Sequence, residues 1–277
     1  MEIVPVKVSQ EVNKKLKEPY TVNEVRKTLF QMHPTKASRI DGFSAMFYQK
    51  FWELVQYDVC EEVLKFLNEG ELDQSMNETL IILVPKIKCA CTVGEFRPIS
   101  LYNVIMNIIT KVLANRLLKD SLPEIISQSQ SDFVKGRLTS DNILVAHELA
   151  NVLTHRKLGQ DGLLSLKIDM SKAYDRVDWM FLERILLKMG FDETWVRRVL
   201  KCVCSISYKV KVNGDISEQI IPGRGLRQGD PLSPLPFYFM SRVANAETEC
   251  RRSLRKFIRC EAGKRISTTN KSFILCG

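Results

Sequence analysis

The sequence predicts an α+β fold, and three observations carry that prediction. Helical periodicity dominates as far as about residue 158, with one or two short strands among the helices. After Gly159 the texture changes to strand, two helices and hairpin. The composition is that of a globular chain: 277 residues, 45% hydrophobic and 26% charged, long enough to bury a sizeable core.

Each element has a local reason. The first twenty residues are polar and expected to be loose. Val22–Gln31 has helical spacing, and Ala45–Asn68 has it more strongly, with Phe47, Phe51, Leu54, Val55 and Val59 on one face. Leu80–Val84 is a β-type run stopped by Pro85. Amphipathic stretches follow at Val104–Leu118, ending before Pro123, and from about Asn142 to Leu153. Leu163–Asp169 is a strand candidate. A helix is expected over Trp179–Met189, with Asp178 as N-cap and Gly190 as its stop. Another over Glu193–Cys204 leads to a strand at Ile206–Val212, and Asn213-Gly214 marks a tight turn to Glu218–Ile221. There are no internal repeats. The expected organisation is a loose segment 1–20, a region 21–158 and a second region 159–277.

Charge narrows the partners. Lys and Arg number 41 against 32 Asp and Glu, a formal net charge of +9, which favours polyanions; a slightly basic solvated surface is the plain alternative. The excess gathers at Arg251, Arg252, Arg255, Lys256, Arg259, Lys264, Arg265 and Lys271, opposed only by Glu261. That stretch suits a nucleic-acid backbone, or is a frayed end. The eight cysteines include no C-x-x-C pair, and three histidines give no zinc-finger spacing. No signal peptide or membrane-length apolar run is evident, so an intracellular protein with reduced, buried thiols and no membrane partner is expected. Neither a Cys–His nor a Ser–His–Asp nucleophile has a local signature.

Two segments carry chemistry. In Leu166–Trp179, LKIDMSKAYDRVDW, an apolar run delivers Asp169 to a strand end, and a lysine, an aromatic and a second acid follow. A rigidly held carboxylate suits Mg²⁺ where phosphates arrive, although an Asp after an apolar run is also a common helix N-cap. In Gly223–Pro234, GRGLRQGDPLSP, glycines and prolines bracket Arg227, Gln228, Gly229 and Asp230. Such a loop lets backbone approach a ligand closely, and Gln228 offers a donor and an acceptor to a base or sugar.

Together these segments resemble motifs A and B of the reverse transcriptases of non-LTR (LINE-type) retrotransposons, of the plant type. The likeness extends to Lys36–Trp52 (KASRIDGFSAMFYQKFW), similar to an N-terminal extension motif. Ile82–Lys86 with Glu95–Leu101 (ILVPK and EFRPISL) and Gln128–Asn142 (QSQSDFVKGRLTSDN) resemble two fingers motifs. All stand in family order, from about Tyr20 to Leu235. The resemblance implies a right-hand polymerase architecture, with helical fingers at 21–158 and an incomplete palm with an antiparallel sheet at 159–277. It implies RNA template, DNA primer and deoxynucleoside triphosphates as partners, and Mg²⁺ as cofactor. Asp169 would be a direct ligand to both catalytic Mg²⁺ ions, joined by the carbonyl of Ile168 or Met170. Tyr174 would be the steric gate against a ribose 2′-hydroxyl, its alternative being a core aromatic. Gln228 and Gly229 would contact nucleotide and template, and Arg227 a phosphate. Lys86 and Arg97 would grip the triphosphate. Arg137 would hold template backbone, or make a surface ion pair.

The chain also departs from the family pattern. Family members carry an aromatic-Ala-Asp-Asp hairpin after motif B, whose first Asp completes the metal site. Here no aspartate follows Asp230; the later acids are Glu247, Glu249 and Glu261. The closing EAGKRISTTNKSFILCG resembles the family segment that normally follows that hairpin, so an internal deletion between about Phe239 and Leu254, or a mis-spliced gene, is expected. Ser38-Arg39 stands for a usual Pro-Gly, Lys135 for a usual proline, and Pro236 interrupts a helix-like run. With no endonuclease, thumb or zinc knuckle around it, self-contained retrotransposition is not expected. The expectation is a polymerase fragment by descent that has lost activity; a non-catalytic RNA- or DNA-binding remnant is the alternative.

Overall fold

The computed structural model describes residues 6–35, 42–120, 136–155, 172–236, 238 and 239. The expected strand Leu163–Asp169, the tail beyond Phe239 and Lys36–Asp41 lie outside them.

Among the described residues, 8–20 pack against the rest of the fold rather than standing loose. Val8, Val12, Leu16 and Tyr20 fall four residues apart, so one turn-by-turn stripe is apolar and all four are buried. They lie on and beside α1 (Gln10–Lys17), which Ser9 caps by accepting from Val12 N–H. The high polar count hid the stripe. The N–H groups of Lys7 and Val8 both donate to the carbonyl of Met189, Asn13 donates to the Gly190 carbonyl at 2.6 Å, and Lys17 pairs with Asp192 at 2.8 Å. Residues 7–20 are thereby tied to a part of the chain far along the sequence.

A capping box between Thr21 and Glu24 starts α2 (Val22–Phe30). The periodic stretch from Ala45 divides into α3 (Ala45–Lys50) and α4 (Trp52–Leu64), because Phe51 leaves helical geometry (φ −104°, ψ 24°). After α4 a π-helical turn, Lys65–Glu69, closes on Gly70. The centre is α5 (Val104–Asp120), where Val104, Met106, Ile108, Ile109, Leu113 and Leu117 are buried against α1, α2 and α4. By contrast, α6 (Thr139–His155) buries no side chain. Asp178 caps α7 (Trp179–Lys188) through Phe181 N–H, and Asp192 caps α8 (Glu193–Cys204) through Thr194 N–H.

Four strands form one sheet: β1 (Glu78–Pro85), β2 (Phe96–Tyr102), β3 (Ser207–Val212) and β4 (Asp215–Ile216), in the order β2-β1-β3-β4. β1 pairs antiparallel with β2 and parallel with β3, so the sheet as a whole is mixed, while the β3–β4 pair within 159–277 is antiparallel. A parallel pair needs a long crossover, and here it runs from β1 through α5 to α8. β2 escaped sequence reading because Pro98 sits inside it; as an edge strand it tolerates the missing N–H. The Asn213-Gly214 turn has positive φ at both residues (51° and 100°), as a tight hairpin requires. The returning strand is shorter than expected, with only a bridge at Ile220 to Tyr208 beyond β4.

One hydrophobic core runs from Val8 to Phe239 and draws on both sides of residue 158. Pro236 does not interrupt a helix, since it lies in the first turn of the helical residues 234–236, where its missing N–H costs little. Cys60 and Cys202 are buried, and burial pushes the Cys202 thiol well above its ordinary pKa. Cys89, Cys91 and Cys204 are exposed, against the expectation that all thiols are buried. No helix among the described residues is long and apolar enough to cross a membrane.

Candidate functional site

The end of LKIDMSKAYDRVDW and the start of GRGLRQGDPLSP meet through backbone. Gly225 N–H donates to the Val177 carbonyl at 2.8 Å and Leu226 N–H to the Tyr174 carbonyl at 2.9 Å. The Trp179 indole N–H donates to the Gly225 carbonyl at 2.7 Å. Gly225 is required on two counts: its φ is +101°, and a Cβ there would stand 3.2 Å from the Asp175 carbonyl oxygen. Val177, Leu226, Leu232 and Leu235 anchor the junction in the core. Tyr174, in a short 3₁₀ turn Tyr174–Arg176, is half-buried against that core.

Arg227 corrects an expectation. Its side chain is 1% exposed and faces inward, with the guanidinium 4.0 Å from the Tyr102 ring centroid. It donates to the side-chain oxygen of Asn77 and stands 3.5 Å from the Asp230 carboxylate. Asn77 in turn donates to the Cys202 carbonyl and to Ser205 Oγ. A guanidinium so enclosed holds the loop to β1 and α8 and is not open to a phosphate. Asp230 spends its other oxygen on the Leu232 N–H at 2.8 Å, which leaves it as a loop-fixing acid. Beside them Tyr208 is half-buried. Burial raises its phenol above the ordinary pKa, Arg227 opposes this, and Asp175 and Asp230 add to the rise.

Gln228 and Gly229 project from this buried base and are exposed, with Gly229 at φ +86° in open space. Both are open to solvent. Lys86 and Arg97 lie on the β1–β2 hairpin. Val84 stands opposite Arg97, and Lys86 N–H continues the ladder to the Glu95 carbonyl at 2.8 Å. Alternation along the strands therefore puts both cations on one face. The Lys86 ammonium donates to the Gly94 carbonyl at 2.8 Å, and Arg97 is exposed. Arg137 is half-buried ahead of α6.

Asp169 and Ile168 lie outside the described residues. Among the described residues no three His, Cys, Asp or Glu side chains converge to hold a metal ion. Asp230, the acid beside the junction, is committed to Arg227 and Leu232, so it does not supply a second metal ligand. The residues missed by sequence reasoning are Asn77, Tyr102 and Tyr208. An isolated Asn and two strand tyrosines give no signal until the fold gathers them around Arg227.

Residues 84–256 match the family model described as reverse transcriptase (RNA-dependent DNA polymerase). The chain is 31% identical over 226 residues to the "Transposon TX1 uncharacterized 149 kDa protein" of Xenopus laevis, covering 82% of this chain and 17% of that protein. It is 27% identical over 168 residues to the "Retrovirus-related Pol polyprotein from type-2 retrotransposable element R2DM" of Drosophila melanogaster, covering 61% of this chain and 15% of that one. The chain thus spans about a sixth of the length of these relatives. Among solved structures, "Partial Cas6-RT-Cas1--Cas2 complex" aligns at a TM-score of 0.44 and 16% identity, over 87% of this chain and 35% of that one.

Proposed function

This chain belongs to the reverse transcriptase family, as a domain of the non-LTR retrotransposon kind, and from that premise we propose how its residues serve and where they fall short. Members of the family copy RNA into DNA from a template, a primer and deoxynucleoside triphosphates. The reading for this chain is a nucleotidyl-transfer site by descent, with the polymerising activity lost. In the transfer, a primer 3′-oxygen attacks the α-phosphorus and pyrophosphate leaves.

Lys86 and Arg97 neutralise the triphosphate from the hairpin face they share. The Tyr174 ring lies under the sugar and excludes a 2′-hydroxyl. Gln228 and the Gly229 backbone meet the incoming nucleotide and its template partner, and Arg137 meets template backbone. Arg227 acts at one remove: it fixes the loop that presents Gln228. The observation carrying this reading is the Tyr174–Leu226 and Val177–Gly225 backbone pairing, which joins the two motif segments in one place. Mg²⁺, held by Asp169 and the Ile168 carbonyl, would supply charge neutralisation at the phosphates. No aspartate stands between Asp230 and the closing EAGKRISTTNKSFILCG segment, where the family resemblance places the second one, and Asp230 is already engaged, so one carboxylate stands where two are needed to hold a pair of divalent ions.

Primer extension on an RNA template, with Mg²⁺ and then Mn²⁺, tests the reading. The expected result is no extension above an Asp169→Ala control. Extension by the natural sequence that the control abolishes would overturn the loss of activity while upholding the site.

A further inference from the structure

The two faces of the mixed sheet differ in the charge they carry. Register places Leu80 beside Leu101 and Lys209, and Ile82 beside Ile99 and Lys211. Alternation then sets Ile82, Val84, Arg97, Ile99, Lys209 and Lys211 on the same face, with Lys86 at its end. The other face carries Thr79, Tyr102 and Tyr208, and the Arg227 guanidinium stacks on the Tyr102 ring. In β3 the split is visible as strict alternation: Tyr208, Val210 and Val212 one way, Lys209 and Lys211 the other.

This cationic face is open at its outer end. Arg97 and Lys211 are exposed, and the apolar floor between them remains accessible, with Val84 39% and Ile99 41% exposed. Its acids are few and engaged. Glu78 pairs with Lys209 at 2.9 Å, and the Glu95 carboxylate takes the backbone N–H groups of Cys91 and Thr92 at 2.7 and 2.9 Å. From β2 across β1 to β3 the cations span two strand spacings, about 10 Å. A row of positive charge of that length, with little acid to cancel it, complements a run of phosphodiesters rather than a single phosphate group.

We propose that Lys211, assisted by Lys209, extends the Lys86–Arg97 face into a track for the phosphate backbone of the single-stranded RNA template. The assignment to RNA rests on the reverse transcriptase reading above. Lys209 contributes less than Lys211, because Glu78 already neutralises part of its charge.

The probe is a labelled RNA template annealed to a DNA primer, once with a single-stranded RNA overhang and once blunt, titrated by fluorescence anisotropy across a salt series. The natural sequence is compared with Lys211→Gln, Lys211→Arg, Lys209→Gln/Lys211→Gln, and the off-face pair Lys14→Gln/Lys27→Gln, which removes equal charge from α1 and α2. The double on-face variant should lower the slope of log affinity against log salt by up to roughly 1.4, at about 0.7 per single-strand phosphate contact. The loss should be confined to the overhang substrate, Lys211→Arg should keep the natural slope, and the off-face pair should change nothing. Equal losses from on-face and off-face pairs, or an equal loss on the blunt hybrid, would overturn the track and leave the reverse transcriptase reading standing. Failure of the natural sequence to bind either hybrid would overturn both.

Discussion

Leu226 donates its backbone N–H to the carbonyl of Tyr174 at 2.9 Å, and this bond, with its Gly225–Val177 neighbour, is the hinge of the candidate site. It needs a glycine beside it, since any side chain at 225 meets Asp175 backbone while held at φ +101°. Gly225→Ala is therefore expected to cost about 1–3 kcal/mol, from a strained dihedral combined with a close backbone contact. Gly229→Ala carries the dihedral cost without the contact and should lose less, about 1 kcal/mol. Urea midpoints of the two variants, at unchanged slope, check the order.

Arg227 is predicted to matter for stability before it matters for binding. Arg227→Met would leave the Asp230 carboxylate, 7% exposed, and the Asn77 side-chain oxygen without their cationic partner. Breaking a buried pair from one side costs about 3–5 kcal/mol. Thermal or urea denaturation reads this directly. A variant that keeps natural stability and loses only nucleotide affinity would return Arg227 to the role of phosphate ligand.

The N-terminal helix is predicted to be part of the fold. Leu16 is 1% exposed within the core, so Leu16→Ala should destabilise by about 2–5 kcal/mol. Lys14→Ala, on an exposed face of the same helix, should serve as the near-neutral comparison.

Acid should loosen the α2–α5 contact. Burial pushes the Glu24 carboxyl up, but the Arg116 guanidinium, at 2.7 and 2.9 Å, and the Thr21 N–H outweigh it and hold the pKa below the ordinary 4.5. A carboxyl whose folded pKa is depressed contributes stability that is present above its unfolded value and lost as pH falls through the folded one. The melting temperature should therefore fall as pH drops below about 4.5, and Glu24→Gln should flatten that part of the profile while lowering stability at neutral pH.

Much of this was legible in the sequence, for physical reasons. Asp178, Gly190 and the Asn213-Gly214 turn announce themselves because caps and positive-φ turns demand particular residues. α8 matched its expected span because its apolar stripe is strong. Three kinds of feature stayed hidden. The stripe Val8–Val12–Leu16–Tyr20 was masked by the lysines and glutamates between its members. β2 was masked by Pro98, which only an edge position excuses. The parallel β1–β3 pairing is a long-range contact, and local pattern carries no information about it. In the site, exposed Gln228 and Gly229 follow from loop chemistry, whereas the inward turn of Arg227 depends on Asn77 and Tyr102, distant in sequence.

We propose that Asp169 is one half of a two-metal site whose second carboxylate is missing after the Gly223–Pro234 loop. Mn²⁺ titration followed by electron paramagnetic resonance, in the presence of primer–template and a deoxynucleoside triphosphate, addresses it most directly. Protein-dependent binding of at most one weakly held ion, abolished by Asp169→Ala, is expected. Two tightly held ions per chain, both lost in Asp169→Ala, would contradict it.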